Sequence, residues 1–222
     1  MTLAADLLPG WLNTSLWLVL IITCILAGRF ADWPALRSVP RRYHLVFGGT
    51  LGCLVLWLIS VNTIEGLWFH FLGVTSLTLL LGWRFAILGG TAAILGHTLL
   101  IQQPLSAAAA AWLLTVAIPA TVSRWLVHRL RRIRSRNLFI YMLGAGFGGG
   151  LLAVLTMAMA ALVLLYLGGH QEWVRSALSN WPLIFLLMFP EGFINGMIVT
   201  TLTVFYPDLV KTFDEGHYLE DQ

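Results

Sequence analysis

The run LFIYMLGAGFGGGLLAVLTMAMAALVLLYL, from Leu138 to Leu167, contains no Asp, Glu, Lys or Arg. An α-helix needs roughly 20 apolar residues to cross about 30 Å of bilayer hydrocarbon, so this run can span with length to spare. Working outward from it, six further apolar runs lie at Trp11–Ala27, Leu45–Val61, Leu67–Gly82, Phe85–Ile101, Ala107–Val127 and Pro182–Tyr206. The runs are continuous rather than alternating, which argues against a β-barrel. Helices also satisfy their own backbone groups, as lipid demands. The expected fold class is therefore all-α, a polytopic transmembrane helix bundle of about seven spans. The third and fourth spans are short and meet at Trp83-Arg84; merging them would give six.

Composition agrees with this reading. Only 10% of residues are charged, against about 25% in a soluble domain, so the chain has too little polar surface to stay in water. The net charge of +3 and pI near 9.2 would suggest nucleic acid only if the charges gathered on one soluble surface. They sit in loops beside apolar runs, so no nucleic acid is expected. With the N-terminus outside, one side of the membrane holds Arg29, Arg37, Arg41, Arg42, Arg84, Arg124, Arg129, Arg131, Arg132, Arg134, Arg136 and Lys211, and the other only Arg175. Basic loops stay in the cytoplasm, which gives an N-out, C-in topology in the plasma (inner) membrane. Residues 1–206 read as one transmembrane domain and 207–222 as a short, acidic, frayed cytoplasmic tail. Met1–Gly10 has no Lys or Arg, so the first run reads as a retained helix rather than a cleaved signal. Arg124–Arg136 reads first as a topogenic loop, and otherwise as a contact for a partner or for anionic lipids. Cys24 and Cys53 fall in apolar runs and suggest no disulfide.

Three ionisable side chains fall within the expected spans: His70, His97 and Glu191. Such groups are costly in lipid and face the bundle interior. At about 1.5 Å of rise per residue, His70 lies one turn into the third span and His97 one turn from the end of the fourth, so both reach a similar depth near the outer face. Glu65, in the loop before His70, can join them. Two imidazoles and a carboxylate suit a borderline divalent metal; the plain alternative for each His is a neutral imidazole bonded between helices. Glu191 and Asn195, four residues apart in Pro190-Glu191-Gly192-Phe193-Ile194-Asn195-Gly196, share one helical face near midplane. They read as a polar tether to a neighbouring helix, with a ligand or proton role as the alternative. Gly144/Gly148 and Gly146/Gly150 are small-xxx-small pairs that permit close helix approach, and Ala107–Ala111 adds to this. Trp11, Trp68, Trp83 and Trp181 read as interfacial anchors. No Gly-rich phosphate loop, HExxH or GxSxG motif is visible, so neither an ATPase nor another enzyme is expected.

Several of these stretches resemble the CbiM/NikM family, the substrate-binding membrane components of energy-coupling factor (ECF) transporters for cobalt and nickel. His70-Phe71-Leu72-Gly73 resembles that family's Ser-Gly-His-Leu-Leu-Gly stretch, and Leu81-Gly82-Trp83 its Leu-Gly-Pro-Trp turn. His97-Thr98-Leu99-Leu100 falls where the family has Gln-Ala-Leu-Leu. The stretches Pro190–Gly196 and Tyr206-Pro207-Asp208-Leu209 are similar to its last helix and the Arg-Pro-Glu-Leu that ends it. The resemblance implies a permease component that works with a coupling protein and ATPase subunits and takes nickel or cobalt as substrate, with His70 matching one metal ligand. The N-terminus departs from the pattern. The family opens Met-His-Ile-Pro-Asp-Gly-Phe-Leu; here the nearest match is Leu7-Leu8-Pro9-Gly10-Trp11-Leu12, and Thr2 stands in place of the second-residue His. The family's site does not carry over whole, and His97 is the candidate substitute. Two other readings stand beside transport. One is a membrane assembly or scaffold protein that keeps the fold and has lost transport. The other is an intramembrane enzyme using Glu191 and His97, which the expected depth of each group keeps apart.

Overall fold

Helix α1, Gly10–Phe30, shows how sequence becomes packing in this chain. Leu12, Leu16, Leu20 and Ala27 lie on one face and are buried, while Leu18, Ile21, Ile22 and Ile25 on the other are exposed. A helix apolar all round that buries only one side has lipid as its other solvent. The helix stops where Ala31 turns extended, and Trp33 Nε1–H caps its last turn by donating to Gly28 O at 2.8 Å. The structure, a computed structural model, describes residues 7–38, 40–64, 67–133, 137–214, 216 and 218.

After the short α2, Trp33–Ser38, come α3, Pro40–Leu58, and a two-stranded antiparallel hairpin of β1, Val61–Ile64, and β2, Leu67–Phe69. Helices α4, Val74–Leu81, and α5, Trp83–Leu100, follow. The next membrane helix, Leu105–Leu130, consists of a 3-10 turn, α6 at Ala108–Trp112, a π-helical stretch at Leu113–Ala117 and α7 at Ile118–Leu130. The π stretch leads up to Pro119, whose missing N–H cannot continue a regular ladder. A second π-helical stretch, Ile140–Gly148, runs into α8, Gly149–Leu167. Helices α9, Gln171–Ser179, and α10, Pro182–Phe205, complete the bundle.

Among the described residues four helices are long and apolar enough to cross a membrane: Gly10–Phe30, Leu105–Leu130, Ile140–Leu167 and Pro182–Phe205. Helices α3 and α5 have 19 and 18 residues. The expected third span, Leu67–Gly82, is not one helix. Its first half is strand β2 and an extended segment, and only Val74–Leu81 is helical. Apolarity was read correctly there, but regularity was not. Gly73, in the left-handed region at φ 66°, separates the two halves. All eight residues of α4 are buried, as are Leu72 and Gly73 before it, so the break at Gly73 is shielded by protein rather than exposed to lipid.

Backbone packs on backbone where α8 and the π stretch before it meet α10. A Cβ on Gly150 would stand 2.8 Å from Gly192 Cα, and one on Gly146 would stand 3.2 Å from Gly196 Cα. Thus the Gly146/Gly150 pair packs inside the chain, against a second glycine pair four residues apart on α10. Gly144 instead faces the side chain of Leu130. Ala107–Ala111 are buried and let α1 and α5 close on α6. The segment expected as a frayed tail is docked over its described part. Lys211 and Thr212 donate their N–H groups to Leu80 O and Leu79 O at 3.0 and 3.2 Å. Those carbonyls belong to the last turn of α4 and have no helical partner.

Candidate metal site

The site is built around the turn that leads from the hairpin into α4. Gly73 makes that turn, and a Cβ there would also stand 3.0 Å from Leu56 Cδ1 and 3.5 Å from Cys53 Sγ. The first N–H groups of α4 then need partners from outside the helix. Two side chains of α10 supply them. Leu72 N–H donates to Glu191 Oε2 at 2.7 Å and Gly73 N–H to Glu191 Oε1 at 2.9 Å. Ser76 donates its N–H and its hydroxyl to Asn195 Oδ1 at 2.8 and 2.6 Å. Asn195 Nδ2–H in turn donates to Glu191 Oε1 at 2.6 Å and to Glu191 O at 2.8 Å. Three N–H groups thus converge on one carboxylate, a pattern that suits an acceptor-only group held at a helix N-terminus.

On its other side the same turn is tied to α3. Trp57, fully buried, donates its indole N–H to Leu72 O at 3.0 Å. The Trp57 carbonyl accepts from His97 Nε2–H at 3.2 Å. A carbonyl can only accept, so that nitrogen carries the proton and His97 presents its lone pair at Nδ1. Nδ1 is buried and has no hydrogen-bond partner among the described residues. By the same logic His70, whose Nδ1–H donates to Phe71 O at 3.1 Å, carries its lone pair on Nε2. The His70 and His97 rings stand 6.3 Å apart, and Trp57 lies 5.9 Å from one and 6.5 Å from the other.

His70 and His97 are therefore brought together, although His70 follows β2 on an extended segment and does not sit on a helix as expected. Glu65 lies outside the described residues, as does Thr2. Glu191 and Asn195 do not touch the imidazoles; they hold the 72–76 turn from the far side, linked to His97 through Leu72 and Trp57. No group of three or more His, Cys, Asp or Glu gathers among the described residues. Sequence reasoning missed Trp57. Nothing in its apolar neighbours on α3 marks it, because what matters is the indole N–H and the carbonyl facing two different elements. Cys24 and Cys53 are free thiols.

A metal–nitrogen bond of about 2.1 Å and a ring radius of about 1.1 Å put two imidazoles on opposite sides of one ion with centroids about 6.4 Å apart. The observed 6.3 Å matches that span. Hydrogen bonds from the far nitrogen of each ring to a backbone carbonyl are the usual means of orienting such ligands.

The family described as "Cobalt uptake substrate-specific transmembrane region" matches residues 3–209. The chain belongs to this family. That makes this cobalt-uptake-type protein a membrane transport component and not an enzyme. A solved structure described as "Crystal Structure of an transition metal transporter" superimposes with a TM-score of 0.76, covering 92% of this chain and 93% of that one at 16% identity. The likeness at that identity is one of fold. Among curated proteins none matches.

Proposed function

We propose that this chain is the substrate-binding permease component of an ECF-type transporter, capturing a divalent transition metal such as nickel or cobalt from the outer face. The observation that carries the reading is the His70–His97 pair, two imidazoles whose ring centroids stand 6.3 Å apart, close to the span of two rings on opposite sides of one ion, each with its other nitrogen tied to a carbonyl. Glu65 is the proposed carboxylate ligand. The proposed topology is N-out and C-in in the plasma (inner) membrane, with about seven crossings, the third made by the hairpin, the 70–73 segment and α4. A coupling protein and ATPase subunits are the proposed partners, because this chain has no phosphate loop of its own.

Calorimetric titration of the purified protein with nickel or cobalt tests this. One ion per chain is expected, and His70→Ala should abolish the heat of binding. Binding requires deprotonated imidazole nitrogens, so affinity should fall as the pH is lowered. Stoichiometric metal in His70→Ala would contradict the site. No metal at all would favour the scaffold reading.

A further inference from the structure

The opposite end of α4 carries a second site of different chemistry. An open cavity of about 610 Å³ lies at the α4–α5 turn, and its lining includes Arg84, Arg124, Arg131, Lys211, His128 and Asp32. Four permanent cations against one carboxylate leave this lining strongly positive. The one acid does little to quench it. Among these cations Asp32 reaches Lys211, at 4.0 Å, with both side chains about half exposed, an arrangement of small energetic weight. Among the described residues no carboxylate comes within ion-pair distance of Arg84, Arg124 or Arg131.

Two of these guanidinium groups are nonetheless held in place. Arg124 lies over the Trp83 ring at 5.6 Å, and Trp83 is itself fixed by its indole N–H donating to Thr121 Oγ1 at 3.1 Å. Arg131 donates one N–H to Thr212 O at 2.9 Å, and Thr212 is bonded to α4 through Leu79 O at 2.8 Å. A guanidinium has five donors in a rigid fork, so each group is oriented by a neutral contact with most donors left to a ligand. Bidentate recognition of phosphate oxygens by oriented arginines is what such forks favour. Trp33 and Trp125, exposed by 42% and 50%, flank this end of the bundle as interfacial aromatics do.

We propose that this cavity binds an anionic phosphate group, supplied either by a phospholipid headgroup or by a soluble phosphate ester. The cavity lies where α5 begins and the Leu105–Leu130 membrane helix ends, far from the His70–His97 pair. The test is binding of short-chain phosphatidylglycerol to the delipidated full-length protein in neutral detergent, followed by native mass spectrometry. Glycerol 3-phosphate is the competitor and short-chain phosphatidylcholine the zwitterionic comparison. Saturable binding of phosphatidylglycerol over phosphatidylcholine is expected. Arg124→Gln with Arg131→Gln should weaken it by roughly twenty-five-fold, a factor of about five for each charge removed near an anionic surface. Arg175→Gln, outside the cavity lining, should leave it unchanged. Displacement by glycerol 3-phosphate would assign a soluble ester as sufficient, and its failure would assign the lipid; either supports the phosphate site. Equal binding by the double variant, once circular dichroism shows it folded, would overturn the proposal. So would loss of a copurifying protein partner in that variant with phosphatidylglycerol binding intact, which would make the patch a protein contact.

Discussion

Trp57 and Glu191 hold opposite sides of one short turn, and that division makes their roles separable. Replacing Trp57 by Phe keeps most of the apolar volume but leaves Leu72 O without its donor. An unsatisfied buried carbonyl costs about 1–3 kcal/mol, which thermal unfolding in detergent should register as a lower Tm. The Trp57 carbonyl survives that change, so His97 keeps its orienting bond. Metal affinity should therefore fall by no more than the roughly 10–100-fold typical of supporting groups around a ligand. Glu191→Gln is expected to damage folding to a similar extent. It puts an amide NH2 where one carboxylate oxygen accepts from Leu72 or Gly73, and two donors then face each other in a buried place. A loss of about 1–3 kcal/mol follows from the unpaired group. A Glu191→Gln protein as stable as the wild type would show that the carboxylate is not the anchor of the turn. The pairing of Glu191 with Asn195 was legible from their spacing in sequence. Their partners were not, because backbone N–H groups leave no mark in the pattern of side chains.

At the scale of elements, the glycine pairs show how much of helix packing a sequence reveals. The small-xxx-small spacing marked both Gly144/Gly148 and Gly146/Gly150 as contact candidates, without saying which surface each meets. In the fold Gly150 meets the backbone of α10, which cannot yield, while Gly144 meets the end of the Leu130 side chain, which can. Gly150→Ala should destabilise by about 1–3 kcal/mol through overpacking and Gly144→Ala by clearly less; Gly48→Ala, inside α3 with open space around its Cβ position, is the clash-free control and should be stabilising by up to about 1 kcal/mol. Chemical or thermal unfolding of the three variants checks the order. The short α4 was the element least legible in the sequence. Leu67–Gly82 is apolar throughout, and hydropathy registers apolarity whether the backbone is strand, loop or helix. Only the left-handed Gly73 and the carboxylate that answers its N–H divide the run, and both belong to tertiary structure.

For the whole molecule, the apolar runs and the family resemblance made the bundle legible, since lipid forces backbone pairing into helices wherever a long apolar run occurs. The separation of basic residues gives the proposed orientation, and cysteine labelling in intact cells tests it. Glu172→Cys should react with an impermeant maleimide from outside, and Arg132→Cys only after permeabilisation; the reverse pattern would invert the topology. The His70–His97 pair was legible only as two histidines of similar depth. Its closeness depends on Trp57 and on the extended 70–73 segment, which bring a loop residue beside a helical one. The central claim is that one ion lies between His70 and His97, and X-ray absorption at the metal edge of the loaded, purified protein tests it most directly. The spectrum should show multiple scattering from two imidazoles in the wild type and from one in His97→Ala, which keeps His70 and is loaded with excess metal. A spectrum without imidazole scattering, or one unchanged by His97→Ala, would contradict the claim.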